Sequence, residues 1–432
     1  MTQDILFDVS RLLSRTERSA PTGVDRVCLA YAEWLLSLPD VRMIPVRSRK
    51  DRLVTVEEPW FRDCVAQMRA RWSGDFFERS LTEEEARLLK ALRSGETSDR
   101  SVISPPPEVE KRKPNRPARV WKQFLRSRRS QGVPGGQFYF NVGHTSLNTP
   151  DILDDLSTRG VERVVLIHDL IPITHPEFCR PGDGAKHRGR VSNALRHASH
   201  IIVNSHYTAS ELTAFAAREA LTPPPIHVAH LGLEPIFQAA PTTRDPHPYF
   251  VHVGTIEARK NLAFLLTLWR RLHERLGDRA PRLVLIGRYG WENEAVLDHL
   301  QRSPNLQGLV HQAANLPDAT LAELMRGARA VLAPSSVEGF DLPAVEASAL
   351  GVPLIASDIP VHRELVAHAE LIDPLDGLGW LAALERATLA APPPAPAFQA
   401  PGWSQHFGHV AERIGLATAE SPPPMAPRRK GR

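Results

Sequence analysis

Short apolar runs recur along the chain, and each is followed by small or polar residues and then by a helix-like stretch. Runs of this kind, in which apolar and polar residues do not alternate, are typical of parallel strands buried on both faces of a sheet. They occupy residues 5–9, 138–142, 164–167, 201–203, 249–253, 283–286, 330–333 and 353–356. The pattern predicts an α/β protein built on doubly wound sheets, whose ligands bind at the carboxyl ends of the strands.

Proline-rich stretches divide the pattern into two halves. They lie at 222–225 and 241–248, and clusters of this kind mark connections rather than strands or helices. We therefore predict a first domain at 1–240 and a second domain at 246–390. Two such α/β domains are expected to face each other across a cleft.

Three segments fall outside the repeated pattern. Residues from about 47 to 136 are charge-rich and poorly patterned, and we interpret them as an insertion that adds little to a shared core. A helix at 402–416 carries apolar residues at helical spacing and is expected to pack back on the first domain. Residues 417–432 are rich in proline and basic residues, and we predict that they are disordered.

The composition excludes several classes of protein. The chain has 432 residues, 42% hydrophobic and 24% charged, which fits a globular protein of two or three domains. Cys28, Cys64 and Cys179 are scattered, which argues against a disulfide framework and a zinc site. The first residues lack the order of a signal peptide, and no apolar run is long enough to span a bilayer. We expect a cytoplasmic protein.

Residues 111–130, KRKPNRPARVWKQFLRSRRS, hold many basic and no acidic side chains, although the net charge of the chain is only +4. Trp121, Phe124 and Leu125 are interleaved with the basic residues. A solvated insertion is the simplest interpretation. A peripheral contact with an anionic membrane, at the cytoplasmic face of the inner membrane, is the functional alternative. We do not expect a nucleic-acid partner.

The segment 335–350, SSVEGFDLPAVEASAL, places Glu338 and Glu346 on either side of a Gly-Phe turn and a proline. Pro343 suits the first turn of a helix, so the segment is predicted to run from strand through turn to helix. Backbone N–H groups at such a turn favour an anion. A carboxylate can accept hydrogen bonds from two neighbouring hydroxyls, as in a sugar diol. The alternative is a surface loop with two solvated glutamates.

Several motifs, taken in order, resemble the retaining glycosyltransferases of family 4, or group 1. In the second half they are VHVGTIEARKN (251–261), LVLIGRYGW (283–291) and EGFDLPAVEASALGVPLIASD (338–358). In the first half they are PTGVDR, FNVGHTSLN, HDLIPITHPE and VNSHYTASEL. The resemblance implies the GT-B fold, with an acceptor-binding first domain, a nucleotide-sugar-binding second domain and a C-terminal helix that returns to the first. Within that family, the sequence resembles bacterial surface-polysaccharide mannosyltransferases.

The resemblance also implies roles for residues of the second domain. Arg259 and Lys260 would neutralise the donor diphosphate, Glu338 would contact the transferred sugar, and Glu346 would hold the nucleotide ribose. Further donor contacts are implied for Gly254, Thr255, Gly339, Phe340, Asp341 and Leu342. Two cations beside a departing nucleoside diphosphate stabilise its developing charge.

In the first domain the resemblance implies that the backbone at Gly23 approaches the donor phosphates and that His168 contacts the hexose near the reacting carbon. A structural role for His168 is the alternative. His144, Asn204 and Ser205 follow predicted strands, so we predict that they contact the acceptor, with loop packing as the alternative for His144.

Two positions depart from the family pattern. Thr255 stands where many relatives have an arginine, so one phosphate-facing cation is missing. Asp341 stands where a glycine is frequent, and we expect it either to weaken the donor site or to cap the following helix.

The expected activity is transfer of a hexose from a nucleotide-diphosphate sugar to a saccharide or lipid-linked acceptor, with retention. A GDP-sugar such as GDP-mannose is favoured. No Asp-x-Asp occurs in the sequence, so we expect no metal and no other cofactor. A nucleotide-sugar epimerase and a non-catalytic scaffold that binds sugar nucleotides are the alternatives.

Overall fold

The computed structural model describes residues 2–73, 82–93, 101–103, 134–238, 247–390, 396 and 398–417. Its first domain contains a sheet of seven strands in the order β3-β2-β1-β4-β5-β6-β7, parallel except for the β2–β3 pair. These strands are β1 (Gln3–Asp8), β2 (Val41–Arg49), β3 (Arg52–Thr55), β4 (Phe138–Asn141), β5 (Glu162–Ile167), β6 (His200–Val203) and β7 (Ile226–Val228). The order β2-β1-β4-β5-β6 is that of a doubly wound sheet.

The second domain contains a six-stranded parallel sheet in the order β10-β9-β8-β11-β12-β13. Its strands are β8 (Tyr249–Val253), β9 (Arg282–Ile286), β10 (Val310–Ala313), β11 (Ala330–Ala333), β12 (Leu354–Ser357) and β13 (Glu370–Ile372). Numbered within the domain, this is the 3-2-1-4-5-6 order of a dinucleotide-binding fold. From β8 the strands are added in one direction up to β10, and from β11 they are added in the other direction up to β13. The loops after β8 and β11 therefore flank one crevice, at the point where the strand order reverses.

Helices cover both sheets. In the first domain they are α1 (Ser10–Leu13), α2 (Gly23–Ser37), α3 (Glu58–Ser73), α4 (Glu83–Arg93), α5 (Pro150–Thr158), α6 (Ile171–Thr174), α7 (Asp183–His197) and α8 (His206–Arg218). In the second domain they are α9 (Leu262–Leu276), α10 (Glu294–Arg302), α11 (Asp318–Gly327), α12 (Leu342–Ala349), α13 (Pro360–Leu365) and α14 (Gly377–Leu389), and α15 (Trp403–Ile414) follows. Among these described helices, none combines the length and apolar composition that crossing a bilayer requires.

The predicted α/β architecture is confirmed, and each of the eight apolar runs overlaps a strand. The sequence interpretation missed β2 and β10, among others. In β2 the apolar residues are interrupted by arginines and by Pro45. In β10, His311 and Gln312 are fully buried, and Gln312 donates from Nε2 to the carbonyl of Gly287 at 2.7 Å. Buried polar side chains that are hydrogen-bonded remove the apolar signature of a strand.

The prediction that residues 47–136 add little to a shared core is wrong for the part that the structure describes. The antiparallel strand β3 extends the first sheet, and α3 packs four buried side chains into the first-domain core. Those side chains are Phe61, Val65, Met68 and Trp72. The apolar residues of α3 are diluted by arginine and acidic residues on its exposed face, which hid its amphipathic pattern. Residues 104–133, including the basic stretch at 111–130, lie outside the described residues.

The segment that follows α3 crosses to the second domain. Val102 accepts a hydrogen bond from the backbone N–H of Gln312 at 2.8 Å and donates its own N–H to Nδ1 of His311 at 3.0 Å. Ile103 forms a parallel bridge with Gln312, and Arg282 donates from Nη1 to the carbonyl of Leu92 at 3.2 Å. A piece of chain that precedes most of the first sheet therefore covers β10, the edge strand of the second.

Helix α15 returns to the first domain. The ring of Phe407 stacks on Trp34 of α2, with centroids 4.5 Å apart and planes 6° apart, and meets Tyr31 edge-on at 5.0 Å. His406 donates from Nδ1 to the carbonyl of His230, which leaves Nε2 to accept the Tyr31 hydroxyl proton at 2.9 Å. Aromatic stacking and one directed hydrogen bond thus fix the helix. Residues 418–432, predicted to be disordered, lie outside the described residues.

We predict that Phe407→Ala lowers the free energy of unfolding by about 3 kcal/mol, because it removes a buried aromatic ring and leaves a cavity. Urea denaturation followed by tryptophan fluorescence measures the change. Leu375→Ala, at a side chain that is 88% exposed, is the control and should leave the midpoint unchanged. An equal midpoint for Phe407→Ala and wild type would contradict the packing described for α15.

Candidate functional site

Four charged side chains meet where the second sheet changes direction. Arg259 and Lys260 lie on a short 3-10 turn after β8, and Glu338 and Asp341 lie between β11 and α12. Arg259 Nη1 is 2.5 Å from Glu338 Oε2, and Lys260 Nζ is 2.6 Å from Glu338 Oε1. Lys260 Nζ is also 3.1 Å from Asp341 Oδ1. Adjacent strands β8 and β11 bring together residues that are about 80 positions apart.

Two more groups complete this network. Glu257 Oε1 lies 2.6 Å from Arg259 Nε, and His362 of α13 donates from Nε2 to Asp341 Oδ2 at 3.0 Å. We call these six side chains the charge network. Its members are Glu257, Arg259, Lys260, Glu338, Asp341 and His362.

The charge network is buried except for Arg259, whose side chain is 20% exposed, and ion pairing sets the protonation of its members. Burial alone would raise the pKa of Glu338, but Arg259 and Lys260 lower it below its usual value. Burial opposes the charged form of Lys260 as well, and the carboxylates of Asp341 and Glu338 raise its pKa. Both groups are therefore charged at neutral pH, and each depends on the other to be so.

Asp341 occupies the N-cap position of α12 in the left-handed conformation, with φ 62°. Its carboxylate makes no capping bond, so the expectation that it caps the helix is wrong. Burial would raise the pKa of Asp341, but Lys260 and His362 hold it well below its usual range. Burial lowers the pKa of His362, but the hydrogen bond and ion pair with Asp341 raise it above its usual value. Asp341 thus anchors Lys260 and α13 instead of the helix start.

The glutamate-containing turn packs directly on the first domain. A Cβ added at Gly339 would lie 2.4 Å from the carbonyl oxygen of His168, so no other residue fits there without a shift. Asn204 donates from Nδ2 to that His168 carbonyl at 2.9 Å, and Ser205 donates from Oγ to the Gly339 carbonyl at 2.8 Å. Asn204 and Ser205 are buried and order these backbones. The acceptor contacts predicted for them stay predictions.

His168 is held as a neutral imidazole at the domain boundary. Burial lowers its pKa to about 4, against the opposing effect of the hydrogen bond to Val142, to whose carbonyl Nε2 donates at 2.8 Å. The ring of His144 lies 4.9 Å from that of His168 and donates from Nε2 to the Leu166 carbonyl at 2.9 Å. Burial also lowers the pKa of His144 well below its usual value. The acceptor contact of His144 stays a prediction.

A cavity of about 160 Å³ lies between the domains. It is lined from the first domain by residues that include Gly23, at the N-terminus of α2, and Arg26. From the second domain it is lined by residues that include Gly254, Thr255, Leu342 and Glu346. A Cβ at Gly23 would lie 3.5 Å from Leu342 Cδ1, so the N-termini of α2 and α12 face each other here. Phe340 is buried, with its ring 6.2 Å from that of His230.

Glu346 is the unusual carboxyl group of this cavity. Burial raises its pKa to about 7, and the carboxylates of Asp318 and Glu234 add to the effect while Arg26 opposes it. Arg26 forms a bidentate ion pair with Asp318 of the other domain, with both N–O distances at 2.5 Å. Arg26, the cation that lowers the pKa of Glu346, is therefore also the ion-pair partner of Asp318, which weakens its effect on Glu346.

Sequence reasoning missed several members of the site. Arg26 lies in the quoted PTGVDR segment, and its position on α2 was a usable signal. Asp318 is 292 residues away from Arg26 in the chain, and nothing local distinguishes it. Glu257 and His362 likewise show their role only through contacts.

A family model described as glycosyl transferases group 1 matches residues 235–384. That range contains Arg259, Lys260, Glu338 and Glu346. The match covers nearly all of the second domain.

Curated relatives of this domain include two from Escherichia coli. The serotype-specific mannosyltransferase WbdA is 29% identical over 230 residues, which cover 49% of this chain and 28% of the relative. The O-antigen chain mannosyltransferase B is 36% identical over 129 residues, which cover 30% of this chain and 33% of the relative. The chain thus spans about a third or less of the length of these relatives.

Solved structures match nearly the whole chain. HepE (Alr3699) from Anabaena, solved in complex with UDP and glucose, has a TM-score of 0.60 and 15% identity, and the match covers 96% of this chain and 100% of HepE. Sucrose-phosphate synthase from Thermosynechococcus elongatus has a TM-score of 0.56 and 15% identity, with 96% and 94% covered. Together with the two sheet topologies, these likenesses establish the GT-B fold.

We predict that Glu346→Gln stabilises the chain at pH 8 by about 3 kcal/mol, because glutamine reproduces the protonated form that burial favours. A folded-state pKa of about 7 against an unperturbed 4.5 means that ionisation costs stability as the pH rises through that window. The gain should shrink towards zero as the pH falls from 7 to 4.5. Chemical denaturation at a series of pH values measures it.

The control for this experiment is Glu294→Gln, at an exposed position in the first turn of α10. It should show no comparable dependence on pH. A Glu346→Gln variant that is no more stable at pH 8 than at pH 5, relative to wild type, would rule out a raised pKa for this carboxyl.

Proposed function

We propose that the chain transfers a hexose from a nucleotide-diphosphate sugar to a saccharide or lipid-linked oligosaccharide acceptor, with retention of the anomeric configuration, in polysaccharide biosynthesis. GDP-mannose is the favoured donor, since two relatives are named mannosyltransferases. The observation that carries the proposal is the charge network. It places the partly exposed Arg259, the buried Lys260 and Glu338 beside an interdomain cavity, within the segment that the group 1 glycosyl transferase model matches.

Once the cleft opens, the donor diphosphate would lie between the two opposed helix N-termini. Backbone N–H groups at the starts of α2 and α12 favour an anion, and Gly23 presents no side chain there. A Cβ at Gly254 would lie 2.9 Å from Lys260 Cε, so glycine leaves that lysine room to reach a phosphate. Thr255 lines the same cavity, and the two cations of the network take the role of the arginine that Thr255 replaces.

The nucleotide and the sugar would then occupy opposite sides of this diphosphate position. Glu346 lies in the cavity with Gly23 and in its ionised form would accept hydrogen bonds from the ribose hydroxyls. Glu338 would do the same for hexose hydroxyls. His168, neutral at physiological pH because burial lowers its pKa to about 4, would contact the hexose without adding a positive charge at the reacting carbon.

In the proposed reaction the bond between the anomeric carbon and the β-phosphate oxygen breaks, and an acceptor oxygen bonds to the same face of that carbon. The acceptor proton passes to the departing phosphate. Arg259 and Lys260 stabilise the charge that develops on the diphosphate, and the other site residues position the reactants. The two cations supply the charge that a metal ion would otherwise provide, so we propose that transfer needs neither a metal nor another cofactor.

Donor binding is proposed to require opening of the cleft. The cavity of about 160 Å³ is smaller than the roughly 300–1,000 Å³ of pockets that hold small ligands. The Arg26–Asp318 pair joins the domains across it. Separation of this pair would admit the nucleotide and free Arg26 to pair with Glu346, which lowers the pKa of that glutamate towards its ordinary value.

We predict that Lys260→Ala and Glu338→Gln each lower kcat/KM for transfer at least about 100-fold, because each removes a directed charge contact worth roughly 3 kcal/mol. Chromatography and NMR of the products, with GDP-mannose, UDP-glucose and dTDP-sugars offered alongside mannose-terminated acceptors, measure the rate and the anomeric configuration. We expect acceptor-dependent product from GDP-mannose, with retention. Arg270→Ala, at a side chain 60% exposed, is the matched control and should keep wild-type activity.

The product pattern also separates the alternatives. Free sugar and nucleotide formed without an acceptor would indicate an epimerase. Donor binding without turnover would indicate a non-catalytic scaffold. Wild-type transfer rates in both Lys260→Ala and Glu338→Gln would contradict the proposed roles.

We also propose that residues 111–130 bind an anionic membrane and thereby hold the protein at the cytoplasmic face of the inner membrane, close to a lipid-linked acceptor. The full chain should float with vesicles that contain about one-third phosphatidylglycerol, and less so at high salt. Replacing the five arginines Arg112, Arg116, Arg126, Arg128 and Arg129 with glutamine should abolish flotation while leaving the thermal midpoint unchanged. Equal flotation of this variant and wild type would refute the membrane contact.

A further inference from the structure

Three side chains with metal-binding groups converge at a second place on the domain boundary. His206 begins α8 and His230 follows β7, both in the first domain, while Glu364 lies on α13 of the second. One ligand atom of each lies within 4.8 Å of the others. Glu364 is 134 residues from His230 and 158 from His206 in the chain, so no local spacing could reveal the group.

The Glu364 carboxylate is already oriented by the first domain. Its Oε1 accepts the backbone N–H of His206 at 2.8 Å, and its Oε2 accepts that of Tyr207 at 3.1 Å. Oε1 also lies 2.8 Å from Nε2 of His230. Carboxylates that ligate metals are commonly fixed by hydrogen bonds of this kind. The imidazole of His206 is exposed, with its centroid 6.0 Å from that of His230, and can rotate towards the other two.

We propose that His206, His230 and Glu364 form a zinc site that bridges the two domains. Two imidazoles and one carboxylate are a ligand set that zinc adopts, with water in the fourth position. Tetrahedral ligands at about 2.1 Å from the metal stand about 3.4 Å apart. Glu364 Oε1 and His230 Nε2, 2.8 Å apart, are already closer than this separation. Rotation of the exposed His206 ring would bring its nitrogen, now within 4.8 Å of the other two ligand atoms, to the same distance.

The bound cation would hold the domains in the arrangement seen here. Its ligands come from both domains, so separating the domains would break at least one metal bond. His230 also lies beside the glutamate-containing turn, through its 6.2 Å ring contact with Phe340. Zinc at this site therefore couples closure of the cleft to the position of that turn. The cysteines take no part, in keeping with their scattered positions.

To test the site, the untagged full-length chain is first stripped of metal with EDTA and then dialysed to equilibrium against zinc chloride. Metal analysis then gives the zinc bound per chain. A polyhistidine tag is left out because it binds zinc itself. We expect about one zinc per chain for wild type and an increase of the thermal midpoint with zinc. His206→Ala and Glu364→Gln should weaken binding at least about ten-fold, since they remove direct ligands. His206→Cys supplies a new zinc ligand and should restore binding.

The matched control is His227→Ala, which disrupts a different histidine pair whose rings lie 5.5 Å apart, His200 and His227. It should bind zinc as wild type does. Because His206 is exposed, its variants should melt like wild type without zinc, which separates loss of binding from loss of folding. Failure of wild type to bind zinc at micromolar concentration, or wild-type affinity in His206→Ala, would overturn the proposal. Neither readout uses sugar transfer, so it is independent of the proposed function.

Discussion

The charge network is the constraint on which the rest of the site depends. Lys260 remains charged although it is buried, because Glu338 and Asp341 face it at ion-pair distance, and Glu338 also pairs with the partly exposed Arg259. Such an arrangement is stable only when its geometry is closely defined, since a buried charge that loses its partner is costly. The parallel order around β8 and β11 supplies that geometry. Asp341, a departure from the family pattern, then becomes intelligible as the second counter-ion of Lys260.

Much of the fold could be predicted from the sequence, because strands buried on both faces leave apolar runs. The strands that escaped prediction are those whose polar residues are satisfied inside the protein, such as Gln312, or whose pattern is broken by proline and arginine. The glutamates and cations of the site could be identified from short motifs. Their partners could not. Asp318 and His362 reach the site only through tertiary folding, and a carboxylate or imidazole carries no local mark of a distant counter-ion.

Stability and the proposed chemistry place opposite demands on the cavity. A protonated Glu346 suits the buried, closed arrangement, in which Arg26 is engaged by Asp318. An ionised Glu346 suits recognition of ribose hydroxyls. Sites with perturbed protonation commonly reflect such a conflict. Here the conflict is between domains, because the cation that could resolve it belongs to the first domain and its competing carboxylate to the second.

The crossing of residues 101–103 onto β10 makes the second domain depend on chain that lies outside its own boundaries. The exposed edge of a parallel sheet offers unpaired backbone groups to any other strand. In this protein Val102 and Ile103 cover that edge, although they precede the second domain by more than a hundred residues. A fragment cut to the family match at 235–384 would lack this cover. The second sheet is therefore completed at this edge by residues 101–103 of the first half, and a second domain transferred into another protein would expose β10 unless these residues were transferred with it.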